Sequence, residues 1–365
     1  MKILFIANIP SPYNVEYLNE LGKLAEVTAV FEMGSATDRD NSWKTLNVKN
    51  FSCIILNGIK FSAETALSLQ VKKHIKKFRK EKIIIGNPTT PTGIIAILYC
   101  KKHKIPYILQ SEGGFQGSGK GVKEKFKKYL MKDAILYLSG MKIENEYFLR
   151  YGATPRKIAH FPFTSFYASD IRQDIVSVEE KANYRKELGI YEEIVFISVG
   201  QFIYRKAFDI LLKAYKGMPN NAGLYIIGGT PTEEYLKIVS NLNLKNVHFL
   251  NFMDKKTLKK YYCASDIFVL PTREDTWGLV VNEAMACGLP VITTDRCIAG
   301  ISLINDGENG YIVPVNNVSA LQEKMELLAN NNELKMSMSK NNIEKISSYS
   351  YEEMAKAIYN ALKEN

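Results

Sequence analysis

The sequence is poor in the residues that build disulfide frameworks and metal sites. Its 365 residues include five cysteines, an odd number with no C-x-x-C pair, and four widely spaced histidines with no H-E-x-x-H motif. A disulfide framework and a zinc site are therefore not expected, and no metal cofactor is predicted. Free thiols in such a pattern fit a reducing cytoplasm.

Long apolar runs are missing as well. The longest, around Ile94–Cys100, is far shorter than a membrane span, and Ile3–Ala7 is too short for the core of a signal peptide. We therefore expect a protein that is soluble or peripheral to a membrane. The motifs G-x-G-x-x-G and G-x-x-x-x-G-K-[ST] are also absent, which excludes the usual dinucleotide and P-loop fingerprints.

Negative charge is scarce in the first half of the chain. Residues 1–165 carry 26 Lys and Arg against 13 Asp and Glu, a net charge of +13, whereas the remaining residues carry 22 against 25, a net charge of −3. This asymmetry indicates an anionic partner, or else lysine-rich helix faces that are simply solvated. In the segment Gly119–Lys132, Phe126 and Tyr129 interleave with lysines, as in a helix that lies on an anionic leaflet. An anionic membrane surface is the favoured partner, and nucleic acid, for which no known module is present, is the alternative.

Short β-branched runs alternate with longer amphipathic segments throughout the chain. The pattern begins at Lys2–Ile9, includes a predicted helix at Ala63–Lys80, lapses near Phe161–Glu180 and restarts at Glu192–Gly200. Such alternation predicts an α/β fold of two doubly wound, Rossmann-like domains that face each other across a cleft. The predicted ranges are 1–165 for the N-terminal domain, 166–190 for a linker, 191–345 for the C-terminal domain and 346–365 for a last helix that crosses back to the N-terminal domain.

The loop Gly200–Lys206 (GQFIYRK) follows the first predicted strand of the second domain. Glycine permits close approach of a ligand to the backbone, and Arg205 and Lys206 supply the positive charge that a diphosphate needs. A surface loop with two solvated bases is the alternative.

Two carboxylates, Asp275 and Glu283, flank Gly278 in the stretch EDTWGLVVNEAMACGLPVITTD. Asp275 falls in a loop before a predicted helix, Gly278–Cys287, whose first-turn amides can donate to phosphate oxygens. Glu283 has apolar neighbours, so we expect it to be half-buried and to need donors such as a ribose diol. The alternative makes Asp275 a helix cap and Glu283 a structural ion-pair partner. The amides in question are those of Trp277, Gly278, Leu279 and Val280.

The stretch around Asp275 and Glu283 resembles the E-x7-E signature of family-4 retaining glycosyltransferases, which have the GT-B fold. GQFIYRKAFDILLKAY, from Gly200, resembles the G-R-x4-K-G stretch of that family, and IPSPYNVEYLNELGK, from Ile9, resembles its bacterial capsule and surface-polysaccharide members. The resemblance covers essentially the whole chain. Three residues depart from the pattern: Asp275 replaces a glutamate, Gln201 an arginine and Ala207 a glycine.

The resemblance implies a role for each matching residue. Glu283 would bind the donor ribose, Asp275 the hydroxyls of the donor sugar, and Lys206 the diphosphate, with Arg205 in place of the missing arginine. Met253 would lie at the nucleobase. The other predicted donor-binding residues are Gly200, Thr276, Trp277, Gly278, Leu279 and Val280. On the acceptor side, in the N-terminal domain, the predicted residues are Tyr13, Glu112, Gly113 and Gly114, with a plain turn as the alternative for Glu112.

The resemblance also implies an activity: a retaining hexosyltransferase that moves a sugar from a nucleotide-sugar donor, a UDP-sugar, to a glycan or lipid-linked acceptor in surface-polysaccharide synthesis. Neither an enzyme nucleophile nor a metal is expected. The expected location is the cytoplasm, with peripheral contact on the inner face of the cell membrane. The alternatives are a sugar-nucleotide isomerase or epimerase of the same fold, which the few histidines disfavour, and a non-catalytic basic surface- or nucleic-acid-binding protein.

Overall fold

The computed structural model describes residues 1–35, 47–111, 119, 121–140 and 144–364. Contacts between Cα atoms divide the chain into two compact units, one made of Met1–Tyr167 with Tyr349–Asn365 and the other of Ala168–Ser348. Each unit is built on a parallel β-sheet whose strands are joined by helices. This is the doubly wound α/β architecture that the alternation of strands and helices predicts.

Within the described part of the first unit, seven parallel strands form one sheet in the order β3-β2-β1-β6-β7-β8-β9, and β4 and β5 pair only with each other as an antiparallel hairpin. The first strand, KILFIA, is buried from its second residue onward because helices cover both faces of the sheet. The strands are β1 Lys2–Ala7, β2 Glu26–Phe31, β3 Ser52–Ile55, β4 Ile59–Lys60, β5 Ala66–Leu67, β6 Lys82–Ile85, β7 Ile108–Ser111, β8 Leu136–Ser139 and β9 Ile158–His160.

Helices pack on both faces of this sheet. They are α1 Pro12–Leu24, α2 Val71–Lys77, α3 Pro91–Lys102, α4 Val122–Met131 and α5 Glu144–Arg150. Leu4 and Ile6 of β1 join the core under α2 and α3, whereas Phe5 points the other way and meets Tyr17 of α1 edge-to-face, with ring centroids 5.9 Å apart. The C-terminal residues Tyr351–Glu364 form a helix that packs against α1 in this same unit.

The described second unit holds a six-stranded parallel sheet. Its strands are β10 Ile194–Val199, β11 Ala222–Ile227, β12 Val247–Leu250, β13 Ile267–Leu270, β14 Val291–Thr294 and β15 Gly310–Val313, in the spatial order β12-β11-β10-β13-β14-β15. Its helices are α6 Val178–Leu188, α7 Phe208–Tyr215, α8 Glu233–Asn241, α9 Lys255–Ala264, α10 Leu279–Ala286, α11 Ile298–Leu303, α12 Val318–Ala329 and α13 Asn332–Ile346. The C-terminal helix Tyr351–Glu364 of the first unit is α14.

Side-chain caps define several helix starts. Ser177 accepts from the Glu180 amide at α6, and Asp254 accepts from the Thr257 amide at α9. At α3, Thr90 accepts from the Gly93 amide, and Pro91 occupies the first turn, where its missing N–H is not needed.

The predicted helix Ala63–Lys80 is wrong over its first half, because the helix begins only at Val71. Tertiary hydrogen bonds hold the preceding residues extended. The Ala66 amide donates to Glu32 Oε2 at 3.0 Å, and the Ser68 amide donates to Thr92 Oγ1 at 2.9 Å. These buried side-chain acceptors replace the carbonyls that a helix would have offered.

The segment 166–190 differs from a plain linker. Its second half forms α6, which packs against α9 of the second unit. The first half is irregular apart from a short 3-10 turn at Ala168–Asp170.

Among the helices of the described residues, none is long and apolar enough to cross a bilayer.

Two partly buried ion pairs connect α6 to the second sheet. Asp266, just before β13, contacts Lys181 Nζ at 2.7 Å and Arg185 Nη2 at 2.6 Å, and the Val195 amide donates to it at 2.8 Å. Burial alone would raise the pKa of Asp266, but the two cations and the amide outweigh burial and hold that pKa below its usual value.

We predict that Asp266→Asn lowers the free energy of unfolding of the second unit by about 2 kcal/mol at neutral pH, because charged hydrogen bonds are lost. A carboxylate whose pKa is depressed in the folded state stabilises the fold above its unfolded-state pKa, about 3.9, and loses this contribution as the pH falls further. The free energies of unfolding of variant and wild type, measured in urea, should therefore begin to converge below about pH 4 and meet only below the folded-state pKa of Asp266.

The control is Glu26→Gln, which breaks a pair with Lys2 whose side chains are 53% and 65% exposed. This change should alter stability by less than about 0.5 kcal/mol at any pH. An Asp266→Asn effect that stays constant from pH 7 to pH 3 would contradict the assignment.

Candidate functional site

The strand order of the second unit reverses between β10 and β13, which are paired neighbours although a long stretch of chain separates them. In open α/β sheets, ligands bind at the carboxyl ends of the strands beside such a switch point. The loops that follow these two strands are residues 200–207 and 271–278. They are the same two stretches in which the sequence predicts anion-binding residues.

Two cations from the first loop contact one acid from the second. Lys206 Nζ lies 2.5 Å from Asp275 Oδ2, and Arg205 Nη1 lies 3.3 Å from Asp275 Oδ1. Asp275 is 6% exposed, whereas the Arg205 side chain is 44% exposed. The cluster therefore has a net positive charge, with its acid inside and one cation at the surface.

Further hydrogen bonds fix the two loops to each other. The hydroxyl of the buried Thr272 donates to the Arg205 carbonyl at 2.9 Å, and the Arg273 amide donates to that same carbonyl at 2.8 Å. The Arg273 guanidinium also forms a two-pronged pair with Asp209 of α7, at 2.9 and 2.8 Å, and stacks over the Tyr204 ring. The positions of Arg205 and Lys206 are thus set by backbone contacts with the loop that carries Asp275.

The chain enters α10 through a conformation that favours glycine. Gly278 has a φ of +99°, and a Cβ at this place would lie 2.8 Å from Cys297 Sγ. Trp277 is 4% exposed, and its indole N–H donates to Asn282 Oδ1 at 2.8 Å. Burial, and then the nearby Asp275 carboxylate, raise the pKa of Cys297 to about 11, so its thiol stays neutral. The Val281 amide donates to the Gly278 carbonyl at 2.8 Å, whereas the amides of Leu279 and Val280 precede the first turn of bonds within α10. The positive end of the helix dipole lies here and suits an anion.

Glu283 lies on the second turn of α10 and is partly exposed, as its apolar neighbours predict. The hydroxyl of Tyr262, on α9, donates to Glu283 Oε2 at 3.3 Å. Burial, and then the Glu283 carboxylate, raise the pKa of Tyr262 well above its usual value, so Tyr262 remains a neutral donor. Tyr262 was not predicted from the sequence, because the pattern of a helix gives no sign of which acid a tyrosine on it will contact.

The other predicted donor residues also lie along the carboxyl edge of this sheet. Gly200 follows β10, where a Cβ would lie 3.2 Å from the Lys206 side chain. Met253 follows β12, two strands and about 10 Å along the sheet from β10, and is partly exposed. At the start of α10, Thr276 is exposed and Leu279 and Val280 are partly exposed.

The first unit has its own switch point, between β1 and β6. There the Asn8 amide donates to Asn87 Oδ1 at 3.0 Å. Tyr13, in the first turn of α1, is partly exposed and meets Phe163 edge-to-face at 5.4 Å. The predicted acceptor-side residues Glu112, Gly113 and Gly114 lie outside the described residues.

Glu32, directly after β2, is a buried acid that the sequence analysis missed. It is 2% exposed and accepts from the Thr90 hydroxyl and from the Ala66 amide. Burial raises the pKa of Glu32, and these hydrogen bonds offset only part of the increase. The position of Glu32 at the carboxyl end of a buried strand is the sequence signal that could have identified it.

No three His, Cys, Asp or Glu side chains within the described ranges are grouped so that they could hold a metal ion. The positive charge available at the β10–β13 switch point comes from Arg205, Lys206 and the start of α10.

Comparison with known families gives a match over most of the second unit. Residues 180–345 match the family model of glycosyl transferases group 1. An uncharacterized glycosyltransferase of Methanocaldococcus jannaschii is 34% identical over 151 residues, which are 39% of this chain and 37% of that protein. The chain therefore spans little more than a third of that relative.

Two relatives with broader coverage have named activities. The capsular polysaccharide biosynthesis glycosyltransferase CapM of Staphylococcus aureus is 27% identical over 80% of this chain and 80% of its own. The N,N'-diacetylbacillosaminyl-diphospho-undecaprenol alpha-1,3-N-acetylgalactosaminyltransferase of Campylobacter jejuni is 23% identical over 68% of each chain.

Among solved structures, Anabaena HepE in complex with UDP has a TM-score of 0.80, with 17% identity and 100% coverage of both chains. The predicted fold class, GT-B, and the predicted resemblance to glycosyltransferases are confirmed by these similarities.

The left-handed conformation of Gly278, at the start of α10, can be tested directly by substitution. We predict that Gly278→Ala destabilises the second unit by at least about 2 kcal/mol, because alanine must adopt a left-handed conformation and displace the Cys297 thiol. The measurement is urea unfolding of wild type and variant.

Gly189→Ala is the matched control, since Gly189 also has a left-handed φ, +67°, but no atom within 4 Å of an added Cβ. It should cost about 1 kcal/mol, from backbone strain alone. Equal effects of the two substitutions would show that the contact with Cys297 does not constrain the loop.

Proposed function

We propose that this chain, whose residues 180–345 form a domain of the glycosyl transferases group 1 family, is a glycosyltransferase that moves a sugar from a nucleotide-sugar donor to a glycan or lipid-linked acceptor. The observation that carries the proposal is the cluster of Lys206, Arg205 and Asp275 at the β10–β13 switch point, beside the start of α10. A UDP-sugar is the proposed donor, which the similarity to the fold of UDP-bound HepE supports. Surface-polysaccharide synthesis is the proposed context, which the similarity to CapM supports.

The diphosphate of the donor is proposed to lie against the start of α10. The Lys206 ammonium has three N–H donors, so it can keep its contact with Asp275 and still donate to a phosphate oxygen. Arg205 is exposed enough to reach the same group, and the amides of Gly278, Leu279 and Val280 complete an anion site.

The rest of the donor is proposed to extend along the carboxyl edge of the sheet. Glu283 would accept from the two ribose hydroxyls, with Tyr262 fixing one of its oxygens, and Met253 would lie beside the nucleobase. Asp275 still has lone pairs free for hydroxyls of the donor sugar, because a carboxylate offers about four acceptor positions.

Transfer breaks the bond between the anomeric carbon and the diphosphate oxygen and forms a bond from that carbon to the acceptor oxygen. The acceptor proton passes to a phosphate oxygen of the donor on the same face of the sugar, which would retain the anomeric configuration without an enzyme nucleophile. Lys206, Arg205 and the helix dipole would stabilise the charge that develops on the leaving diphosphate. Because these groups already supply positive charge, we propose that no metal ion is required.

A peripheral contact with an anionic membrane, on the inner face of the cell membrane, is part of the proposal. The Campylobacter relative is named for an undecaprenol-linked acceptor, and a lipid-linked acceptor would be presented at a bilayer. In α4, Val122 is 84% exposed, and Phe126 and Tyr129 are 44% and 48% exposed between lysines. Such a helix can rest on an anionic leaflet.

We predict that Lys206→Met lowers kcat by about 10²-fold to 10³-fold, the usual cost of removing one group that stabilises transition-state charge. Methionine keeps the apolar stem that packs near Gly200. Turnover is measured as release of the nucleoside diphosphate from the donor. Lys216→Met, at an exposed site after α7, is the matched control and should leave kcat unchanged. A normal kcat in Lys206→Met would refute the phosphate contact.

The decisive experiment is a donor screen by thermal shift with UDP-, GDP- and ADP-sugars, followed by titration of the best ligand. We predict saturable binding of the UDP-sugar to the wild type and a loss of at least about tenfold in affinity in Glu283→Ala, since two charge-assisted hydrogen bonds disappear. Incubation of the same donor with an acceptor extract should then yield UDP and a lengthened glycan, with or without EDTA.

The outcomes separate the candidate functions. Binding without transfer, with an altered sugar recovered from the donor, would indicate an isomerase or epimerase. No saturable binding of any nucleotide sugar would leave a non-catalytic basic protein, and loss of transfer in EDTA would contradict the metal-free mechanism.

A further inference from the structure

The β4–β5 hairpin of the first unit presents one apolar face to solvent. Ile59 and Leu67 are directly opposite each other in the antiparallel pair. Phe61 and Leu69 lie two residues beyond them, just outside the two strands, where the Phe61 amide extends the pairing to the Thr65 carbonyl at 2.9 Å and Leu69 follows the buried Ser68. Ile59 is 73% exposed, Phe61 75%, Leu67 36% and Leu69 62%. Four large apolar side chains on one exposed face are unusual for a surface that meets only water.

The opposite side of the hairpin is fixed to the sheet, so the apolar face cannot simply turn inward. Ala66 and Ser68 alternate with the exposed leucines and are 2% and 1% exposed. Their amides donate to Glu32 and Thr92, and the Thr92 hydroxyl donates to the Ala66 carbonyl at 2.6 Å. The buried acid Glu32 therefore has a structural role: it holds the hairpin with its apolar face outward.

A basic helix follows the apolar face directly in the chain. Helix α2 starts two residues after Leu69, and its inward residues Val71 and Ile75 are fully buried. Lys73, Lys76 and Lys77 are exposed on the remaining surface of the helix. Residues 47–80 contain eight Lys and Arg and a single acid, Glu64. Apolar side chains beside clustered lysines match the chemistry of an anionic lipid headgroup region with its acyl boundary beneath.

We infer that the β4–β5 hairpin inserts its apolar face into an anionic membrane surface while the lysines of α2 contact the lipid headgroups. A second copy of the chain is disfavoured as the partner of this face, because a symmetric pair would bring the α2 lysines of one copy against those of the other. This membrane contact rests on the proposed function, because an enzyme with a lipid-linked acceptor must work at a bilayer. Insertion of the hairpin would hold the first unit at the depth where such an acceptor is presented.

Vesicle co-sedimentation of the full-length protein tests the inference. Wild type should bind phosphatidylcholine vesicles containing phosphatidylglycerol and bind pure phosphatidylcholine weakly. The double substitution Phe61→Ser with Leu69→Ser should reduce the partition coefficient by roughly tenfold or more, because two inserted apolar side chains are lost. Both residues are exposed, so the fold should persist.

The matched control is Val178→Ser with Tyr191→Ser, at two apolar residues of the second unit that are 89% and 92% exposed. This variant should bind vesicles as the wild type does. As an independent readout, a Phe61→Trp variant should show a blue shift of its tryptophan emission on vesicles and quenching by brominated lipid, both beyond those of the wild type, which already contains Trp43 and Trp277. Charge reversal at Lys73 and Lys76 should reduce the preference for phosphatidylglycerol.

Two results would overturn the inference. The hairpin variant could bind vesicles like the wild type, even if serine at Phe126 and Tyr129 of α4 removes binding. Ultracentrifugation without lipid could also show self-association that the hairpin substitutions remove, which would make a second copy the occupant. UDP titration keeps the two proposals apart: the hairpin variant should bind UDP normally, and a wild type that binds vesicles but no nucleotide would refute only the enzymatic proposal.

Discussion

The buried carboxylate of Asp275 lies between two cations, Lys206 and Arg205, at the place where the strand order of the second sheet reverses. The cations are adjacent in sequence and would repel each other without an acid between them. Its contact with Lys206 also holds the lysine stem against Gly200, and the backbone bonds from Thr272 and Arg273 fix the same loop. The anion site thus depends on an acid that is itself withdrawn from solvent.

Much of this arrangement could be predicted from the sequence, because each loop and each strand is marked by residues that are close together in the chain. Glycines mark the loop after β10 and the entry into α10, and β-branched runs mark each parallel strand. Since parallel strands end at one edge of a sheet, loops far apart in sequence must meet there. The predicted fold class is confirmed. The roles assigned to Asp275, Glu283 and Met253 in donor binding stay predictions.

The elements that escaped prediction depend on contacts between distant segments. The stretch AETALSLQ before α2, from Ala63, has the composition of a helix, yet hydrogen bonds to Glu32 and Thr92 hold part of it in the β4–β5 hairpin. Tyr262 reaches Glu283 only because α9 and α10 are neighbours in the folded unit. Neither partner can be read from local periodicity, because each hydrogen bond joins residues more than 20 positions apart.

The return of α14 to the first unit has a consequence for synthesis on the ribosome. Four side chains of α14 are fully buried in the first unit, whose other residues begin at the first strand. They are Tyr351, Met354, Ile358 and Leu362. That unit is discontinuous in the chain, so its hydrophobic core stays incomplete until Tyr351–Glu364 have left the exit tunnel. The second unit is a single uninterrupted stretch whose residues all leave the tunnel before Tyr351–Glu364 do, so its core can be complete before that of the first unit.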